Sequence, residues 1–196
     1  MPPAPVDELW PQRYRPPVVK AARAAATHPS APERTHKLGP MPAGVARRAE
    51  AEDVPAVVQL RAEMFSAMGT PGTEDTTWQG AAADWFTARL QDPSTHIVVI
   101  EVGGQIVATA MASIRDAAPS PTAPRGQDVL ISNVCTLPAE RGLGYGRAAF
   151  QAAMTWAATT GVRRAELMAT DEGRSMYHAA EFQDVVSTAM RAVLKP

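Results

Sequence analysis

The chain has 196 residues, 45% of them hydrophobic and 20% charged, which is ordinary for a water-soluble protein with one domain-sized core. A net charge of −1 excludes the bulk field that would draw it to nucleic acid or to an anionic membrane, so neither is expected as a partner. A single cysteine, Cys135, excludes an internal disulfide, and neither a membrane-spanning run nor the apolar core of a leader peptide is present, so a cytoplasmic location is expected.

Residues 1–44 hold 10 of the 18 prolines, with six Lys/Arg against three acids and no sustained apolar periodicity. They read as a mobile or surface-wrapping extension ahead of one domain, 45–196. The alternative is a docking arm, with Trp10 and Tyr14 of "ELWPQRY" anchored on a neighbouring subunit, and a homodimer stays open on that ground.

From Val45 the pattern alternates between the two periods of regular structure. "VARRA" makes a short strand, and "DVPAVVQLRAEMFSAMG" a helix that Asp53 can cap, with Pro55 in its first turn and Gly69 as its stop. A second helix is predicted over 76–91, with Trp78, Trp85 and Leu90 as its large apolar groups. "HIVVIEV" and "QIVATAMASI" then flank Gly103-Gly104 as a hairpin, and "DVLISNVCTL" is a third apolar strand that ends where Pro138 removes a ladder donor. A helix to about Thr160, a strand "RAELMA", a short helix around Tyr177 and a final strand near 184–194 complete the order β-α-α-β-β-β-α-β-α-β.

Between the third apolar strand and the following helix stands "ERGLGYGRAAF". Glycines there let backbone N–H groups approach an anion at the positive end of a helix, and Arg141 and Arg147 add charge, so a pyrophosphate fits; a ligand-free turn is the plain alternative. A Walker loop would need Gly-Lys-Ser/Thr, and a dinucleotide fingerprint would need glycine at 147 or 149, where Arg147 and Ala149 stand. Both fail. Arg-x-x-Gly-x-Gly fits, as Arg141, Gly144 and Gly146 behind "CTLPAE".

This pattern resembles the signature of the Gcn5-related N-acetyltransferase (GNAT) superfamily. "VARRAEAEDVPAVVQLRAEMF" is similar to its opening strand and helix, and "DEGRSMYHAAEF" to its late tyrosine segment. Two positions depart: Glu181 stands where the family has Gly before Phe, and Thr170 where many members have Asn. The resemblance implies an α/β (α+β) fold with a central mixed, mostly antiparallel sheet flanked by helices. It implies that acetyl-CoA is the acetyl donor, held by Val134, Cys135 and Thr136 on the strand, by Arg141, Gly142, Leu143, Gly144, Tyr145, Gly146 and Arg147 in the loop, and by Thr170. It places Tyr177 near the coenzyme sulfur as the acid that protonates the leaving thiolate.

An amine attacking a thioester passes through a tetrahedral oxyanion, so preorganised N–H donors and proton routes are needed. By resemblance the transfer is direct, with the backbones of Val134 and Cys135 beside the acetyl group. Cys135 reads as a small buried hydrophobe rather than an acyl carrier, since no histidine is tied to it and the four scattered histidines make no metal cluster. Asn133, Glu63 and Trp85 are the candidates for the acceptor side; Glu63, Asp84 and Glu101 are the acids from which a general base could come, and water-relayed deprotonation is equally compatible. The leading function is acetyl transfer to a primary amine on a small molecule. A protein N-terminus or lysine is the alternative acceptor, and a CoA-binding module without turnover is the alternative class.

Overall fold

Strands with apolar residues on both faces build one five-stranded sheet, with neighbours in the order β1-β2-β3-β4-β5. The strands are β1 Val45–Arg48, β2 Thr95–Val102, β3 Gln105–Asp116, β4 Gln127–Thr136 and β5 Ala165–Glu166. The first four pair antiparallel in succession, and β5 joins β4 in parallel. The helices are α1 Val54–Ala67, α2 Thr77–Arg89, α3 Tyr145–Thr159 and α4 Asp171–His178. The structure is a computed structural model and describes residues 44–121, 123–186, 189, 190 and 192. The proline-rich segment with Trp10 and Tyr14 lies outside the described residues.

The Gly103-Gly104 turn forms as its sequence predicts, with φ of +56° and +83°, the doubly left-handed geometry that matches the twist of a two-residue hairpin. The mixed α/β architecture with a mostly antiparallel sheet is therefore as expected, but three local expectations are not. "RAELMA" contributes only Ala165–Glu166 to the sheet. The described residues of the last expected strand, 184–186, 189, 190 and 192, carry no strand, and the others lie outside the described set. Asp53 does not cap α1 with its side chain. Its carboxylate instead accepts from Arg47 Nη1 and Nη2 at 2.6 and 2.8 Å and from the Glu50 N–H at 2.8 Å. A bidentate, charge-assisted pair outcompetes a single capping bond, and Arg47 holds the Asp53 carboxyl below the usual carboxylate range.

The sheet carries a core on each face. On one, α3 lays Tyr145, Ala149, Phe150, Ala153 and Ala157 against Val98, Ile100, Ala108, Ala110, Val129 and Ile131. Small residues at four-residue spacing let the helix axis come close to the strands. On the other, α1 and α2 pack Val54, Val57, Val58 and Phe86 over Ile97, Val99 and Met111. The tryptophans expected to bury α2 do not do so equally. Trp78 meets Phe65 edge-on at 5.6 Å, whereas Trp85 is 43% exposed beneath the Arg89 guanidinium, 5.1 Å from its ring. The buried stripe is Ala82, Phe86 and Leu90, spaced by four, one position out of phase with Trp85.

This phase makes a stability prediction. Phe86, 2% exposed, should cost about 3–5 kcal/mol of unfolding free energy when replaced by Ala, whereas Trp85→Ala should cost about 1 kcal/mol or less. Urea denaturation of the two variants checks the ranking, and equal losses would contradict it.

Candidate functional site

The sheet opens along β4. Its parallel pairing with β5 is limited to Val129 with Ala165 and Leu130 with Glu166, yet β4 runs on to Thr136. Beyond Leu130 one edge of β4 has no strand beside it among the described residues.

Which backbone groups face that opening follows from the ladder. The Val129 N–H donates to Arg164 C=O at 2.9 Å, so odd-numbered residues here direct their backbone groups toward β5. Further on, the Leu137 N–H donates to Val107 C=O at 2.9 Å and Cys135 lies opposite Thr109, so odd-numbered residues now face β3. The parity reverses because Met111 opposes Ser132 while Thr109 opposes Cys135, leaving Asn133 and Val134 to share the place of one residue. This is a β-bulge, and Asn133 takes it at φ +55°, a conformation asparagine tolerates better than most residues. The amides of Val134 and Thr136 consequently point into the opening. That of Cys135 is committed to β3, so of the pair read from sequence as flanking the acetyl group, only Val134 offers its N–H.

A cleft of about 490 Å³ occupies this opening. Val134, Cys135 and Thr136 line it from β4, Arg141, Gly142, Gly144, Gly146 and Arg147 from the loop, and Thr170 and Tyr177 from the α4 end. Two residues of the expected set lie elsewhere. Leu143 is 42% exposed and does not line the cleft, and Tyr145 is a core residue with a ring carbon 3.1 Å from where a Cβ on Gly44 would stand. The glycines serve two different needs. Gly144 holds φ +90° as the residue before α3, so the chain enters the helix with its unpaired first-turn N–H groups at the cleft. At Gly146 a Cβ would lie 2.8 Å from Thr136 Oγ1, so this glycine lets α3 approach β4 rather than leaving room for a ligand.

Thr170 caps α4 by accepting the Gly173 N–H at 3.3 Å, which gives this position a structural duty as well as a place on the cleft wall. Tyr177 is largely buried, its ring edge-on to Phe150 at 5.2 Å, and among the described residues its hydroxyl has no hydrogen-bond partner. Burial pushes its phenol above the ordinary value, so the group is protonated at neutral pH. Burial likewise pushes the Cys135 thiol up, against the pull of Arg141, which opposes a thiolate nucleophile.

Of the acceptor-side candidates, Trp85 is on the outer surface of α2 and does not line the cleft. Asn133 is 3% exposed, and its Oδ1 accepts from Arg61 Nη1 at 2.8 Å. Among the acids, Glu101 is engaged by Arg47 at 2.9 Å at the β1–β2 edge and Asp84 is exposed on α2. Glu63 is half-buried on α1, next to Met64 of the cleft wall, and is not itself a lining residue. Met64 and Ala67 of α1 also line the cleft and Arg61 bonds the bulge, and nothing in their spacing distinguishes them from ordinary helix residues.

A sheet opened at a bulged strand, with a glycine-capped helix aimed into the gap, defines a fold class that the comparisons name. Residues 54–182 match the acetyltransferase (GNAT) family, and the chain belongs to it. A GCN5-related N-acetyltransferase from Ralstonia eutropha JMP134 is 25% identical, with a TM-score of 0.69 over 76% of this chain and 99% of that one. A protein named as a putative acetyltransferase, from Agrobacterium tumefaciens str. C58, is 28% identical, with a TM-score of 0.60 over 76% and 99%. A predicted acetyltransferase from Clostridium acetobutylicum with acetyl-CoA shares the fold at 23% identity, with a TM-score of 0.69 over 76% and 96%. The search of curated proteins gives no match. Family and fold make this chain an acetyltransferase, and the family uses acetyl-CoA.

The geometry separates two kinds of loop variant. Gly146→Val should lower the melting temperature, because its side chain must displace Thr136. Arg147→Ala touches no packing contact of this kind and should weaken acetyl-CoA binding about tenfold, more at low salt, with the melting temperature unchanged. Calorimetric titration beside a thermal melt checks both, and an Arg147→Ala protein with unaltered affinity would remove that residue from the site.

Proposed function

We propose that this protein is an N-acetyltransferase of the cytoplasm that uses residues 45–196 to move acetyl from acetyl-CoA directly to a primary amine on a small molecule. The observation that carries this reading is the pair of Val134 and Thr136 amides, freed by the bulge and facing a cleft that also holds Tyr177. Acetyl-CoA supplies the activated acyl group. The first-turn N–H groups of α3, with Arg141 and Arg147, are suited to its pyrophosphate. The Val134 N–H is suited to the thioester oxygen, where charge develops as the amine attacks.

As the C–S bond breaks, the thiolate takes the Tyr177 proton. A phenol raised by burial is still protonated at neutral pH, so it is in the correct form to donate. The amine's own proton leaves toward Glu63, the one of the three candidate acids whose chain neighbour, Met64, lines the cleft, or toward water. Cys135 takes no part in the transfer: its thiol is protonated and its amide belongs to the sheet.

The test is thiol release from acetyl-CoA over an amine panel. Tyr177→Phe should lower kcat at least about tenfold with the coenzyme Kd little changed, provided chemistry limits turnover. Cys135→Ala should keep kcat within about threefold. Full kcat in the tyrosine variant would assign thiolate protonation to water, and tight CoA binding without release on any amine would make the protein a CoA-binding module instead.

A further inference from the structure

Arg61 is an unusual cation for this protein. It is half-buried on α1, one turn before Met64 of the cleft wall, and among the described residues no carboxylate pairs with it. The half-buried arginines of the sheet are treated differently. Arg47 has Asp53 and Glu101, and both Arg115 and Arg164 have Asp128. Removing a guanidinium partly from water without an anion is unfavourable, and burial accordingly pulls the Arg61 pKa down.

Its neighbours hold it in one orientation. The guanidinium carbon lies 4.6 Å over the Phe65 ring, and Nη1 donates to Asn133 Oδ1 at 2.8 Å. That bond uses one corner of the fork. The opposite edge, Nε–H with Nη2–H, presents two parallel donors with no partner among the described residues, the arrangement that matches a carboxylate in bidentate fashion. Its anchor lies at the bulge: Asn133 directly precedes Val134, whose N–H is proposed for the acyl group, so Arg61 is held beside the residues that line the cleft.

We propose that Arg61 binds a carboxylate of the acceptor, so that the substrates of this enzyme are amino acids, acetylated on the amine that the Arg61–carboxylate pair brings to the thioester. The inference rests on the acetyltransferase reading above and narrows its acceptor. The charge has a second effect, because a cation close to the acceptor amine lowers that amine's pKa and favours the free base that attacks. Balance is simple: the amine nitrogen forms the bond to the acyl carbon and loses one proton, the C–S bond breaks, and the sulfur gains a proton.

The experiment compares the common amino acids with their C-terminal amides in the thiol-release assay, for the full chain and for Arg61→Gln, which can still donate to Asn133. The wild type should favour acids over amides at least about hundredfold in kcat/KM. Arg61→Gln should lose that preference through the KM of the acids, with acetyl-CoA Kd unchanged. Wild-type turnover of amides as fast as acids, or an Arg61→Gln protein that keeps the preference, overturns the inference and leaves acetyl transfer standing. Calorimetry of the CoA-loaded protein with N-acetyl amino acids and with their amides reads the site without turnover. Arg61-dependent binding of the acids alone, with no release on any amine, upholds the carboxylate site and rejects catalysis. Equal or absent binding of both series, with no release, rejects the carboxylate site as well.

Discussion

The extra residue in β4 is the constraint on which the site depends. A regular strand would give Val134 and Thr136 to β3 and leave the cleft facing a different set of amides. With Asn133 in the left-handed region, the backbone parity changes within one peptide. The side chains change with it: Asn133 turns toward α1, where Arg61 meets it, and Val134 packs with the α3 face. One local distortion thus presents an N–H to the opening and ties both helix layers to the same point of the sheet.

The second element of the site is the approach of α3 to that strand. Gly146 brings the first turn of α3 against Thr136, and Tyr145 goes into the core below Gly44. The helix start is therefore fixed by packing on both sides of its axis, and its unpaired N–H groups are aimed before any ligand arrives. Such preorganisation matters for an anion, because fixed dipoles need not reorient on binding. Arg141 donates from Nε to Thr136 C=O at 3.3 Å, which joins loop and strand at the mouth of the cleft.

Much of this was legible in the sequence, and the limits have physical causes. The Gly103-Gly104 turn and the Arg141–Gly146 loop were readable because each needs a particular residue type at a particular place. Tyr177 and Thr170 reached the cleft because the resemblance ran through their segment. The bulge was not readable, since asparagine inside an apolar strand signals a departure but not its direction. Phe86 is hidden in the sequence because tryptophan size draws attention to Trp85, one residue out of phase with the buried face. Asp53 was assigned locally to a cap, when Arg47, distant from it by one turn of chain and carried on the sheet, offered two stronger bonds. Arg61 is invisible to periodicity, because only the fold leaves it without an anion among the described residues.

The two-residue contact between β4 and β5 also orders the assembly of the molecule. Strands β1 to β4 associate through successive antiparallel neighbours, with a tight hairpin between β2 and β3, whereas β5 reaches β4 only after α3 has crossed the sheet. Such a closure loses more chain entropy for fewer bonds, so the wall that β5 and α4 supply is the last to form and the first to open. A donor seated in the cleft as proposed would touch both sides of that late seam and stabilise the fold there. A coenzyme bound as proposed would then be a clasp as well as a reactant.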